Sequence, residues 1–365
     1  MSGVMRVSIT AKFDDKSMND QNTAWIDLVS PSHPFFFASL AKHIDKSDVK
    51  TTVRKKTETV DLAEEVDFDF EVVGRDFSQK WLKIAGIPAR TAQLAFQAPD
   101  ADIALCSRNA MCILAAKARN VPSINFTDND ITAHQDGVKY EERYNQLESL
   151  ATYNIVPSAF ETGELTKWHA DRDDIFTYEG YKEDVYVADF EPDPRFLDRL
   201  PFETYIVLRP EALDATYVDS ENSLVPDLLE KSIENGHNVV YLPRGRGDEH
   251  YAVEYSQNQV FVPQNALDGL QLAWHSNGVL TGSGTMAREA ASMSIPAVSF
   301  FPNKLLSVDR SMVEQGRVLH SRDTIEIMNY IDSVGQEATQ ADLNRSKQVK
   351  DEVVDIVNKI INKHE

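Results

Sequence analysis

The chain has 365 residues, 42% of them hydrophobic, and a formal net charge of -21. That length accommodates two domains of ordinary size, each with its own core. The acidic balance excludes nucleic acid as a partner, because neutralising phosphates takes a basic surface, and it argues against general attraction to anionic lipid.

Two readings of the acidic excess stay open, a salty cytoplasm and ordinary solubility. The two cysteines, Cys106 and Cys112, fit reduced core thiols better than a disulfide framework or a metal site. The nine histidines include no His-Glu-x-x-His pair. No apolar run approaches membrane-spanning length, and the start of the chain has no signal-peptide core. These features read as a cytoplasmic protein with no transmembrane segment and no metal.

In chain order, residues 1–22 form a polar leader, in which residues 4–10 have the pattern of an edge strand. The first domain spans residues 23–188. It opens with a buried strand over 24–29, a Ser30-Pro31-Ser32-His33-Pro34 turn, a helix over 35–44 and a strand over 49–53. A strand over 70–73 and an amphipathic helix over 77–94, interrupted near Gly86 and Pro88, come next. A short strand at 103–105, a small-residue helix over 109–119 and buried strands at 121–126 and 153–157 complete this part. Residues 189–201 are rich in proline and acid and read as a linker.

The alternation restarts in the second domain, residues 202–340. Strands at 205–208, 238–242 and 260–262 alternate with helices over 224–235, ended by Gly236, and over 267–276, capped by Asp268. Residues 277–291 read as a short strand, a glycine turn and a helix start, and 295–301 as another buried strand. A helix over 324–334 precedes an amphipathic helix in the last segment, residues 341–365. The fold class is therefore α/β, with two doubly wound, Rossmann-like domains facing across a cleft. Ligands of such folds bind where strands end, so candidate residues are sought there.

The glycine turn is the strongest candidate. Gly282 and Gly284 allow close approaches that a Cβ would forbid. Ser283 or Thr285 can cap the helix that follows. A helix start presents unpaired N–H groups and a partial positive charge, which together hold phosphate. Glu289, one turn on, is placed for ribose hydroxyls. A plain helix cap is the competing reading.

His33 follows the first strand, as a general base or as a packing histidine in a Pro-bounded turn. Asp27 either orients a neighbour or binds local backbone. Asp128 and Asp130 follow the 121–126 strand, either as a base with its partner, as a divalent-ion site, or as an Asx-turn or helix cap; His134 lies close by. Arg209 and Arg244 each follow a strand, suited to phosphate or to surface salt bridges. Lys304 holds the same place after 295–301, as a phosphate or sugar ligand or as a solvated lysine.

Three segments carry a family resemblance. They are Trp25-Ile26-Asp27-Leu28 through Ser32-His33-Pro34 and Phe36-Phe37; Tyr178-Glu179-Gly180-Tyr181-Lys182-Glu183 with residues 185–190; and residues 282–291 with Pro296-Ala297 and Lys304-Leu305-Leu306. Over residues 24 to 325 the chain resembles the "domain of unknown function 354" family, found largely in archaea. The resemblance implies the two-domain glycosyltransferase B fold, shared with the UDP-N-acetylglucosamine 2-epimerases. In both, the nucleotide sugar binds the second domain. Carried over, the diphosphate falls on Ser283, Gly284 and Thr285, and the ribose on Glu289.

Two positions depart from the related enzymes. His33 stands where lipid-linked N-acetylglucosamine transferases have a glycine-rich turn, here replaced by Ser30-Pro31-Ser32. Arg209-Pro210-Glu211 stands where the epimerases carry His-Arg-Arg-Glu, and the missing histidine counts against epimerase chemistry. The implied activity is transfer from a nucleotide-diphosphate sugar, a UDP-sugar, to a glycan or lipid-linked acceptor, in glycan or glycolipid biosynthesis and with no cofactor. His33 or Asp128 would take the acceptor proton, while Arg209, Arg244 and the helix start at Ser283 stabilise the departing diphosphate. The alternatives are an epimerase or hydrolase acting on the same donor, and a non-catalytic nucleotide-sugar-binding subunit.

Overall fold

The computed structural model describes residues 22–44, 47–55, 57–66, 68–75, 80–211, 223–244, 247–334 and 341–364. The strand expected over 4–10 lies outside them. Seven parallel strands form the first sheet: β1 (Asn22–Leu28), β2 (Ser47–Lys55), β3 (Phe70–Arg75), β4 (Ile103–Ser107), β5 (Ser123–Phe126), β6 (Tyr153–Pro157) and β7 (Ile175–Tyr178). Their order is β3-β2-β1-β4-β5-β6-β7. The helices between them are α1 (His33–Ala41), α2 (Thr57–Glu65), α3 (Lys80–Gln97), α4 (Ala110–Ala118), α5 (Lys139–Glu148) and α6 (Gly163–Thr166), with α7 (Lys182–Val187) after β7.

The second sheet repeats the plan with β8 (Ile206–Arg209), β9 (Val239–Tyr241), β10 (Val260–Phe261), β11 (Val279–Thr281), β12 (Ala297–Ser299) and β13 (Leu319–His320). Their order is β10-β9-β8-β11-β12-β13. Its helices are α8 (Val225–Glu234), α9 (Gly269–Trp274), α10 (Gly284–Ser292), α11 (Ser307–Glu314), α12 (Thr324–Val334) and α13 (Asn344–Ile361). Chain order reverses between β1 and β4 in one sheet and between β8 and β11 in the other, which opens a crevice at each point.

Both faces of β1 are covered, so its apolar run is nearly unbroken. Ala24, Ile26 and Leu28 pack with Phe36, Phe37 and Leu40 of α1. Trp25, on the opposite face, packs with Cys106 and the small residues of α4. Both cysteines are free and buried. Asp27 is fully buried and receives both Nη1 and Nη2 of Arg90 at 2.8 Å, Asn109 Nδ2 at 2.6 Å and Thr52 Oγ1 at 2.6 Å. It therefore ties β1 to β2, α3 and the cap of α4, and does not serve local backbone. Removing one partner of such a pair strands a buried charge, at about 3–5 kcal/mol.

Helix α3 runs unbroken through Gly86 and Pro88. Pro88 is exposed, so water can satisfy the carbonyl that the ring deprives of its donor.

The acidic segment 189–201 is docked on α9: Gln271 Nε2 donates to Glu191 O and Gln271 Oε1 accepts from Asp193 N. Helix α13 then returns to the first sheet's side and packs on α7 through Val349 and Val353. Asn358 donates to His43 O at 3.0 Å, and Lys350 pairs with Asp189 at 2.5 Å.

Candidate functional site between the two sheets

At the second switch point the β11–α10 turn presses against the loop after β8. Gly282 N donates to Arg209 O at 3.0 Å, and a Cβ on Gly282 would lie 2.5 Å from Glu211 Cα. Only glycine fits there. Thr281 Oγ1 accepts from Ser283 N at 2.9 Å and fixes the turn. Ser283 is the N-cap in extended geometry, but its hydroxyl makes no capping bond. The helix start keeps its donors and its positive dipole end for something other than its own cap.

In front of this helix start lies a cavity of about 450 Å³, within the range of small-molecule sites. Arg244, Gly282, Ser283, Gly284, Thr285, Arg288, Lys304 and Asp309 line it from the second half, and Asn129, Gln135 and Glu141 from the first. Six of the candidate residues read from the sequence, Arg244, Gly282, Ser283, Gly284, Thr285 and Lys304, therefore share one cavity. Arg244 is anchored by donating Nε to Pro210 O at 2.8 Å.

Arg209, Glu289, His33 and Asp128 lie outside that lining. Arg209 ends β8, and its buried Nε has no hydrogen-bond partner among the described residues. Glu289 Oε1 accepts from Tyr186 Oη at 2.7 Å, across the cleft from α7. Burial pushes the Glu289 carboxyl up to about 7, Glu183 adds to the rise, and Tyr186, Arg209 and Arg288 oppose it.

Asp128 sits 3.5 Å from Lys182 Nζ and 3.7 Å from Arg288 Nη2. Burial raises its pKa, but Lys182, Arg288 and Arg108 outweigh burial and hold it at about 2. Arg288 also donates to Glu183 at 2.9 Å and to Asp309 at 2.8 Å. The buried Asp130 accepts from Glu161 N at 2.9 Å and from Ser307 N at 3.0 Å, while His134 Nε2 meets Ser307 Oγ at 2.7 Å. Asp130 thus bridges the two halves: it takes the first N–H of α11 and makes no cap bond to the helical turn that follows it in sequence. Among the described residues no group of three or more His, Cys, Asp or Glu is arranged to hold a metal ion.

His33 starts α1, buried, with Nδ1 accepting from Val29 N at 3.3 Å. Burial pulls its pKa down to about 3; Lys182 and Arg54 lower it further, and Asp128 opposes them. The ring is neutral at neutral pH. With Nδ1 accepting, the hydrogen-bond network assigns the proton to Nε2, which makes that nitrogen a donor. In this geometry His33 presents an Nε2–H donor, and Asp128 is a carboxylate set between Lys182 and Arg288.

The sequence reading missed Lys182, Glu183, Tyr186, Arg288, Asp309, Arg108 and Glu141. The first four lie inside the segments that carry the family resemblance, where type and spacing gave them no distinct chemistry. Glu141 belongs to a polar helix with no pattern to mark it.

Two doubly wound parallel sheets of seven and six strands place the chain in the glycosyltransferase B fold class. Residues 22–364 match the family model described as "Protein of unknown function (DUF354)", and the chain belongs to that family. An uncharacterized protein of Methanocaldococcus jannaschii is 27% identical over 327 residues, covering 86% of this chain and 92% of that one. The fold is similar to that of the UDP-GlcNAc 2-epimerase of the same organism in complex with UDP-GlcNAc and UDP, with a TM-score of 0.68, 12% identity and coverage of 92% and 99%. It is also similar to the S. aureus MnaA–UDP co-structure, at TM-score 0.67, 14% identity and coverage of 93% and 97%. The glycotransferase of kitacinnamycin follows at TM-score 0.58, 10% identity and coverage of 94% and 99%. Among the described residues no helix is long and apolar enough to cross a membrane.

Proposed function

We propose that this protein binds a nucleotide-diphosphate sugar, a UDP-sugar, and transfers the sugar to an acceptor hydroxyl on a glycan or lipid-linked glycan. One observation carries the reading. The cavity has an uncapped helix start as its floor and the cations Arg244 and Lys304 beside it, in a chain of net charge -21. Local positive charge against that background selects a compact polyanion. The UDP and UDP-GlcNAc named in the similar structures support the nucleotide.

In this reading the diphosphate sits on Ser283, Gly284 and Thr285, and Lys304 and Arg244 stabilise the charge that develops as it departs. Residues 202–340 form the donor domain and 23–188 the acceptor domain. For Glu289 to hold ribose, a ribose hydroxyl replaces Tyr186 Oη as its donor. Asp128 and Arg288 keep the facing walls in register.

Epimerisation of the same donor is the second reading, favoured by 2-epimerases among the similar folds at TM-scores up to 0.68. Incubation with UDP-GlcNAc alone separates the two. A transferase leaves the compound intact until an acceptor is added; formation of the 2-epimer without acceptor replaces the first reading with the second.

A further inference from the structure

We infer that Glu141 is the carboxylate with which the cavity grips the hydroxyl groups of the bound sugar, and that Arg108 is its positioning residue. This assignment rests on the donor reading above and adds the residues that tell a nucleotide sugar from the bare nucleotide.

The two walls of the cavity differ in charge: Arg244, Arg288 and Lys304 outnumber Asp309 on the wall from the second half, and Glu141 is the charged group on the wall from the first. The helix start with Lys304 and Arg244 suits phosphate, whereas Glu141, on the wall from the first half, repels it. A ligand complementary to both carries an anionic group at one end and hydrogen-bond donors at the other. Sugar hydroxyls are such donors, and a hydrogen bond from a hydroxyl to an ionised carboxylate is stronger than a neutral one.

Glu141 is arranged for this. Its side chain is 31% exposed; Oε2 accepts from Arg108 Nη2 at 2.7 Å, and Oε1 takes no hydrogen bond among the described residues. One oxygen is fixed and the other is open.

Arg108 is held in place at a cost. It follows β4 with φ at +43°, in the left-handed region that non-glycine residues avoid, at about 1–3 kcal/mol. Its surroundings over-determine that conformation. Nη1 donates to Asn129 O at 3.1 Å, Nε lies 3.7 Å from the fully buried Glu148, the guanidinium stands 5.7 Å from the Tyr144 ring centroid, and Tyr144 Oη donates to Arg108 O at 3.3 Å. Two of the groups it holds, Asn129 and Glu141, line the cavity. A backbone strain that places one guanidinium against two cavity-wall groups is what a positioning residue requires.

Calorimetric titration of the full chain with UDP and with UDP-GlcNAc tests the assignment. Glu141→Gln is expected to bind UDP within twofold of the wild type and UDP-GlcNAc about tenfold more weakly. Arg108→Gly is expected to show the same selective loss and to unfold at a lower temperature, because easing the left-handed backbone does not offset leaving the buried Glu148 without its cation. Arg108→Lys is expected to restore part of the difference. Wild-type affinity for UDP-GlcNAc in Glu141→Gln and Arg108→Gly overturns the proposal, and so does an equal loss of both ligands. A wild type that binds neither compound overturns the donor reading itself, and this assignment with it.

Discussion

Glu289, like the buried Glu148, changes its protonation near neutral pH. Its carboxyl titrates at about 7 in the fold against an ordinary 4.5, because burial disfavours the charge. The folded state therefore holds the proton more tightly than the unfolded chain. The stability from this group is fully present below pH 4.5 and is lost as pH rises through 7. His33 runs the other way: its folded value of about 3 lies below the ordinary 6.5, so its contribution is present above pH 6.5 and is lost as pH falls through 3. Comparing the wild type with Glu289→Gln isolates the first effect. Between pH 4.5 and 7 the unfolding temperature of the wild type should fall relative to the variant as pH rises; a constant difference would contradict the buried, proton-holding state of Glu289. Its spacing from Ser283 singled out Glu289 in the sequence. That its donor in the fold is Tyr186 was not legible there, because that contact spans 103 residues.

The β11–α10 turn shows how an element enforces a site. Glu211, which a Cβ on Gly282 would strike, is itself pinned: its carboxylate accepts from Ser223 Oγ at 2.8 Å, Leu224 N at 3.2 Å and Arg322 Nη1 at 3.1 Å. The backbone there cannot step aside. Gly282→Ala should cost about 1–3 kcal/mol of overpacking in denaturant unfolding. Gly278→Ala should cost clearly less, because the tight contact of its Cβ would be with the side-chain end of Ile331 at 2.9 Å, while the Pro296 backbone O stands at an ordinary 3.4 Å. Equal costs would show that the turn is not tightly apposed to Glu211.

The same physics separates what was readable from what was not. Strands buried on both faces, such as β1, β8 and β11, announce themselves as apolar runs. Helix α5 buries only Asn145 and Glu148, so it leaves no apolar period, and α11 buries only Val308 and Met312. Strands β7 and β13 are short and lie at sheet edges. The site was legible where glycine and helix-start chemistry set it locally. It was hidden where long-range pairing around Arg108, Arg288 and Lys182 completes it.

For the whole molecule, the cavity depends on two halves held in register. Tyr186 with Glu289, Glu183 with Arg288, Asp130 with Ser307 and the return of α13 onto α7 all cross between them. These ties bring the start of α10 in one half and Glu141 of the other to a single cavity. In the proposed function the start of α10 holds a nucleotide diphosphate. Titrating the full chain with UDP in a calorimeter, and repeating it on Lys304→Ala, checks this. One-site binding is expected, weakened about tenfold, or roughly 1.4 kcal/mol, in the variant. No heat of binding at millimolar UDP, or an affinity that Lys304→Ala leaves unchanged, would contradict it.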